Sequence, residues 1–72
     1  MTKIELETGG SVWKLLVKEG DVVEEGQTLF ILEVMKMEVT YDAPHAGKVV
    51  ALHIAEGDSV AEYDLALEIS LQ

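Results

Sequence analysis

Gly10-Ser11-Val12-Trp13-Lys14-Leu15-Leu16-Val17-Lys18-Glu19-Gly20-Asp21-Val22-Val23 aligns without a gap on Gly47-Lys48-Val49-Val50-Ala51-Leu52-His53-Ile54-Ala55-Glu56-Gly57-Asp58-Ser59-Val60. The shared skeleton is Gly-x-Val-x-x-Leu, then Glu-Gly-Asp-x-Val. Further on, Leu29-Phe30-Ile31 matches Leu65-Ala66-Leu67 if one residue is dropped from the second copy. A solenoid needs about three or more stacked units to bury its faces. Two copies therefore imply two halves related by a pseudo-twofold axis.

Each copy alternates as a half-buried strand does. Trp13, Leu15 and Val17 share one face, with Lys14, Leu16 and Lys18 on the other, and Val50, Leu52 and Ile54 repeat the pattern. Glu-Gly-Asp then reverses the chain at Gly20 and Gly57, because glycine accepts a positive φ and the neighbouring Asp can bond its own backbone. Further strands are expected over Thr2 to Glu7, Thr28 to Glu33, Glu38 to Asp42 and Leu65 to Ser70, with short pairings at Val22-Val23 and Ser59-Val60. That makes about eight short strands with regular turn signals, an all-β sandwich or flattened barrel. No stretch has the caps and 3.6-residue period of a helix.

Composition narrows the function. The 72 residues form one expected domain, 1–72, and contain no cysteine, which removes disulfides, thiolate metal sites and cysteine nucleophiles. A net charge of −9, with no arginine among the five basic residues, argues against nucleic acid as a partner. The same charge favours a soluble monomer through self-repulsion, or steers the chain toward positively charged clefts, and the sequence does not separate the two. No run approaches the ~20 apolar residues of a membrane helix. The N-terminus lacks a basic region followed by an apolar stretch, so a cytoplasmic location away from membranes is expected.

Between the copies lies Glu33-Val34-Met35-Lys36-Met37-Glu38-Val39, flanked by strands and free of Gly, Pro, Asn and Asp. As pattern alone, apolar-polar-apolar describes any half-buried strand, with Met35 and Met37 in the core and Lys36 pointing out. Position favours another account. Lys36 is at the midpoint of a repeat protein, where the pseudo-twofold axis calls for a hairpin. Methionine and lysine have no preference for such a reversal. A local rule broken at one place marks a functional site.

Glu33-Val34-Met35-Lys36-Met37-Glu38 resembles the Ala-Met-Lys-Met signature of the biotinyl domains of biotin-dependent carboxylases. Gly20-Asp21, Gly26, Leu29, Glu33, Gly47 and Gly57-Asp58 also fall where that family tends to have them, so the resemblance spans nearly the whole chain. It implies a barrel-sandwich of two four-stranded antiparallel sheets, Lys36 on a hairpin at one end and the termini at the other. Val34 stands where the family usually has Ala or another small residue, which would slow ligation. The chain also lacks the protruding thumb found in some bacterial carriers, placing it with the short type. Met1 and the end at Leu71-Gln72 fit either a free-standing subunit or a domain of a longer chain.

The resemblance implies a non-catalytic carrier with biotin covalently on Lys36, and Val34, Met35 and Met37 as the flanking recognition residues. Its expected partners are a biotin protein ligase, a biotin carboxylase and a carboxyltransferase acting on acetyl-CoA or a related acceptor. The residues suit that chemistry. Lysine offers a primary amine on a long stem, which a ligase can deprotonate and use to attack an activated carboxyl. Unbranched, polarizable methionines adapt to several apolar surfaces. A short tether gives an effective concentration of roughly millimolar at a second active site.

A lipoyl domain shares the fold but resembles Asp-Lys-Ala at the tip, and a glycine-cleavage carrier is usually longer. An unmodified adaptor module is the third alternative. His45 and His53 have neither cysteine partners nor His-x-x-x-His spacing, so surface or edge positions are expected in place of a zinc site. Trp13, paralleled by Val50, reads as core or sheet-face packing. Tyr63 stands where the first copy has Gly26. Glu33 and Glu38, bracketing the tip, read as solvated charge.

Overall fold

The computed structural model describes residues 1–71. Its strands are β1 (Thr2–Glu5), β2 (Gly10–Leu15), β3 (Val22–Val23), β4 (Thr28–Val34), β5 (Met37–Asp42), β6 (Gly47–Leu52), β7 (Ser59–Val60) and β8 (Leu65–Ile69). They form two four-stranded antiparallel sheets, ordered β1-β8-β6-β3 and β5-β4-β2-β7. No helix occurs among the described residues. The all-β sandwich expected from the repeat is therefore what the chain builds. β1 ends earlier than expected, where its register on β8 shifts between Ile4 and Glu5. Leu6 then turns into the core, its N–H donating to the Asp64 carbonyl at 2.9 Å.

A constant offset of 37 positions relates the halves, and the backbone hydrogen bonds show it pair by pair. Gly20 N–H donates to Val49 O and Gly57 N–H to Val12 O, both at 2.8 Å. Gly26 N–H donates to Ala43 O and Tyr63 N–H to Leu6 O, again both at 2.8 Å. Leu16 N–H reaches Leu29 O as His53 N–H reaches Ala66 O. The last pair corrects the sequence alignment: Leu29 corresponds to Ala66, not Leu65, and no residue is dropped from the second copy. Leu65 is the counterpart of Thr28, and its leucine identity alone invited the mismatch.

The core repeats with the same offset. Leu6, Val12, Val17, Leu29, Phe30 and Leu32 are buried, and so are Ala43, Val49, Ile54, Ala66, Leu67 and Ile69; Val23 is buried opposite a partly buried Val60. Tyr41 stacks on Phe30 with ring centroids 4.7 Å apart. These apolar side chains supply the hydrophobic driving force, about 1.5–3 kcal/mol for each large one fully withdrawn from water.

The expected facing of the repeated strands is only partly right. Val12 and Val49 are buried, while Trp13 is 45% and Val50 37% exposed. A bulge explains it, since the ladder shifts register between Val12 and Lys14 in β2, and between Val49 and Ala51 in β6. An extra unpaired residue inverts side-chain parity. Trp13 and Val50 are those residues and face solvent, while Leu15 and Leu52 beyond the bulge pack against the core. Trp13 is thus a sheet-face residue, with the Lys14 ammonium 5.6 Å from its ring centroid.

The Glu-Gly-Asp turns behave as their composition requires. Gly20 and Gly57 have φ of 97° and 89°. The Asp21 carboxylate accepts from Lys18 N–H, and the Asp58 carboxylate from Ala55 N–H, both at 3.0 Å. Gly10 is needed for a different reason: a β-carbon there would lie 2.6 Å from the Glu33 carbonyl oxygen. Its repeat partner Gly47 presses on the Ser70 carbonyl in the same way. Gly10→Ala should therefore force β2 from β4 and cost about 1–3 kcal/mol. Gly20→Ala, in open space but at positive φ, should cost about 1 kcal/mol. Urea unfolding of the two variants measures the difference.

Candidate functional site

β4 and β5 are joined by two residues only, because Val34 pairs with Met37. Met35 and Lys36 form the turn with φ of 50° and 68°. Positive φ at both central residues gives a reversal whose twist matches the strands, normally built with Asn-Gly. Here two bulky L-residues hold it, at a cost of roughly 1–2 kcal/mol each. The hairpin predicted from the repeat midpoint is present, and it is strained.

Met35 is 91% and Met37 68% exposed, and Lys36 is exposed between them. Among the described residues Lys36 makes no ion pair; the one present joins His53 Nε2 to Glu68 Oε2 at 3.2 Å. Among the described residues its amine has neither an ion pair nor a hydrogen bond to give up before meeting another molecule. The methionines are not core residues, so apolar side chains are held in water at the tip. Val34, the last residue of β4, is half-buried against the core. Its Cγ2 would lie 2.9 Å from a β-carbon on Gly10, so Val34 and Gly10 fit together beneath the turn. The sequence had marked Lys36, Met35, Met37 and Val34; the structure brings them together in one hairpin.

Two features escaped the sequence reading. One is the turn's conformation, for which Met-Lys carries no local signal. The other is that Glu33 and Glu38 are directly opposed in the β4–β5 ladder. Like charges so placed are destabilising, and only a known hairpin register reveals them.

The histidines lie away from the tip. His45 is half-buried, with Nε2 2.6 Å from Thr2 Oγ1 and Nδ1 2.8 Å from the Ala46 carbonyl. His53 is exposed and sits one residue past β6. Among the described residues no group of three or more His, Cys, Asp and Glu could hold a metal ion. Tyr63 adopts φ of 71° where Gly26 has 83°, so the repeat forces a left-handed conformation on an exposed tyrosine.

The class these features define is a carrier-type scaffold: a small all-β frame presenting a free lysine on a tight hairpin. A family model described as "Biotin-requiring enzyme" matches residues 3–69. The chain is 43% identical to the biotin/lipoyl attachment protein of Bacillus subtilis over 93% of its own length and 92% of that protein's. It is 45% identical to pyruvate carboxylase 1 of Caenorhabditis elegans over 83% of its length, spanning 5% of the relative. It is 42% identical to the dihydrolipoyllysine-residue acetyltransferase component of pyruvate dehydrogenase complex of Mycoplasma capricolum over 86% of its length, spanning 14% of that protein. Among solved structures, Kluyveromyces lactis urea carboxylase superposes with a TM-score of 0.86 at 35% identity, over 96% of this chain and 6% of that one. The lipoyl domain of the 2-oxoglutarate dehydrogenase complex of Azotobacter vinelandii superposes with a TM-score of 0.87 at 19% identity, over 99% and 98%, and so shares the fold.

The chain belongs to the biotin/lipoyl attachment family. It is an attachment domain of carrier type and is not itself catalytic.

The turn strain is measurable. Asn tolerates the left-handed region that Met resists, so Met35→Asn should raise stability by about 0.5–1 kcal/mol. A higher urea midpoint with an unchanged slope is the expected result.

Proposed function

We propose that Lys36 is the attachment lysine and that it carries biotin as the mobile carboxyl carrier of a biotin-dependent carboxylase. The observation that carries this reading is the strained Met35-Lys36 turn, which holds an unpartnered amine between two exposed methionines at the end of a rigid sandwich. Stability alone gives no reason for such a turn.

The residues fit the group. Lys36 Nζ would hold the group through an amide to biotin's carboxyl; an ammonium is not a nucleophile, so Nζ would first give up a proton to the partner ligase, and a second as the amide forms with an activated carboxyl. Met35 and Met37 supply adaptable apolar contact to the ligase and then to two carboxylase sites. Val34, packed over Gly10, fixes the base of the turn against the core. Biotin, when attached, supplies the ureido ring that carries CO2. The sandwich supplies a rigid base, and tethering raises the local concentration at the second site.

The proposed partners are a biotin protein ligase, a biotin carboxylase and a carboxyltransferase, and the proposed acceptor is an acyl-CoA such as acetyl-CoA. The relatives' own names support the carboxylase setting. The proposed location is cytoplasmic, and the proposed working unit is the single monomeric domain 1–72. A second reading, lipoate on the same lysine, is favoured by the 42% identity to a dihydrolipoyllysine-residue acetyltransferase component. The Met-Lys-Met tip favours biotin.

Intact mass after incubation with ATP, biotin and a biotin ligase, followed by peptide mapping, separates the readings. One biotin on Lys36 is the expected outcome, with one added negative charge on ion exchange. A shift only with lipoate and its ligase would move the protein to acyl transfer, and no shift with either would sink the attachment role. Lys36→Arg should keep the fold and abolish the modification, because guanidinium does not serve as the nucleophile.

Met35→Leu and Met37→Leu should leave stability within about 1 kcal/mol and alter ligation or carboxylation rates. Unchanged rates in both would show that flexibility at these positions is irrelevant.

A further inference from the structure

The Met35-Lys36 turn is the only covalent link between two halves that share both sheets. β1 pairs with β8, β2 with β7, β3 with β6 and β4 with β5, so each contact between residues 1–34 and 37–71 could be supplied by the corresponding half of a second copy. Two features of the link favour that exchange. Two non-glycine residues are held at positive φ. From Thr28 to Asp42 there is neither Gly nor Pro to stop β4 and β5 from merging into one strand. Short hinge loops under strain invite swapping.

We propose that Met35-Lys36 is a hinge through which two copies of this chain exchange halves, giving a dimer in which Lys36 is withdrawn from its exposed tip. Residues 28–42 become a continuous strand of roughly 50 Å. That exceeds the 35 Å long axis of the monomer, which leaves room for two lobes, each built from residues 1–34 of one copy and 37–71 of the other. The ladder continues its existing register: Val34 pairs with Met37 of the second copy, and Met35 with its Lys36. Both hinge residues relax into extended backbone. Lys36 then projects from a two-stranded ribbon at the waist, where a ligase meets a flat edge in place of a free turn. The opposing force is charge, since each chain brings −9. Salt screens that repulsion. The exchange requires the sheets to come apart, so it occurs during folding at high concentration and reverses slowly.

The occurrence of the swap does not depend on the carrier reading; its effect on ligation does. The full chain is unfolded in urea and refolded from dilute to millimolar concentration at low and high salt, then sized by native mass spectrometry. The expected result is a dimer that increases with concentration and salt. Copies labelled with 14N and 15N should form mixed dimers only when refolded together. Met35→Asn/Lys36→Gly, which suits the turn, should weaken dimerisation on the order of a hundredfold. Monomer under every condition would overturn the proposal. So would a dimer that exchanges subunits without unfolding, or one that forms equally well in the double variant.

Isolated wild-type monomer and dimer are then given biotin, ATP and biotin ligase. Modification of the monomer with little or none of the dimer is expected. Equal rates would overturn the withdrawal of Lys36. Modification of neither would defeat the carrier reading, while the swap stands or falls on the sizing and exchange data.

Discussion

Neither repeat can bury its own apolar face. Its β1, β2 and β3 counterparts pair with strands of the other copy, and the buried set draws on both halves at matching positions, Val12 with Val49, Leu32 with Ile69. Folding is therefore an all-or-none marriage of the halves through contacts distant in sequence. Much else is dictated by it. The pseudo-twofold makes the β4–β5 hairpin and the chain ends equivalent poles: beyond Leu32↔Val39 lies the turn, and beyond Thr2↔Ile69 lie the termini. The link between the copies has to be short and has to reverse the chain.

That constraint explains how much of the architecture was legible. Strands could be read from alternation, turns from Glu-Gly-Asp, and the tip from the midpoint of the repeat, because each is set by local chemistry or by symmetry. The facing of Trp13 and Val50 was not legible. A one-residue bulge inverts parity, and nothing in Val-Trp-Lys or Val-Val-Ala announces it. Leu65 was matched to Leu29 by identity, although its structural counterpart is Thr28. In a sandwich the hydrogen-bond ladder sets equivalence, and a half-buried strand entry tolerates Thr or Leu.

The candidate site was legible in identity and opaque in conformation. Lys36, Met35 and Met37 stood out because they violate turn chemistry, yet the left-handed backbone at Met35 and Lys36 became visible only once Val34 was paired with Met37. Tyr63 shows the same effect away from the tip: its φ of 71° is imposed by equivalence with Gly26. Symmetry can hold an unsuitable residue in a strained turn when the surrounding hydrogen bonds over-determine it. Strain alone therefore does not identify function. At Met35-Lys36 it coincides with exposed methionines and an amine, whereas at Tyr63 an exposed ring is accompanied by no amine in the turn.

The differences between the copies locate where chemistry was added to a symmetric frame. Core positions vary in size but keep their apolar character, as Leu6 against Ala43 and Phe30 against Leu67 show. The turns keep Gly20 and Gly57 with their capping Asp. What the frame cannot duplicate is the pole itself, since one end closes covalently and the other is open. A carrier needs one projecting nucleophile on a base that does not yield, and a repeat sandwich provides a unique closed pole without any further asymmetry in its core. The lysine gains its reach from that closure. The same closure concentrates strain at a single link, so presentation of the lysine and vulnerability of the link have a common physical origin.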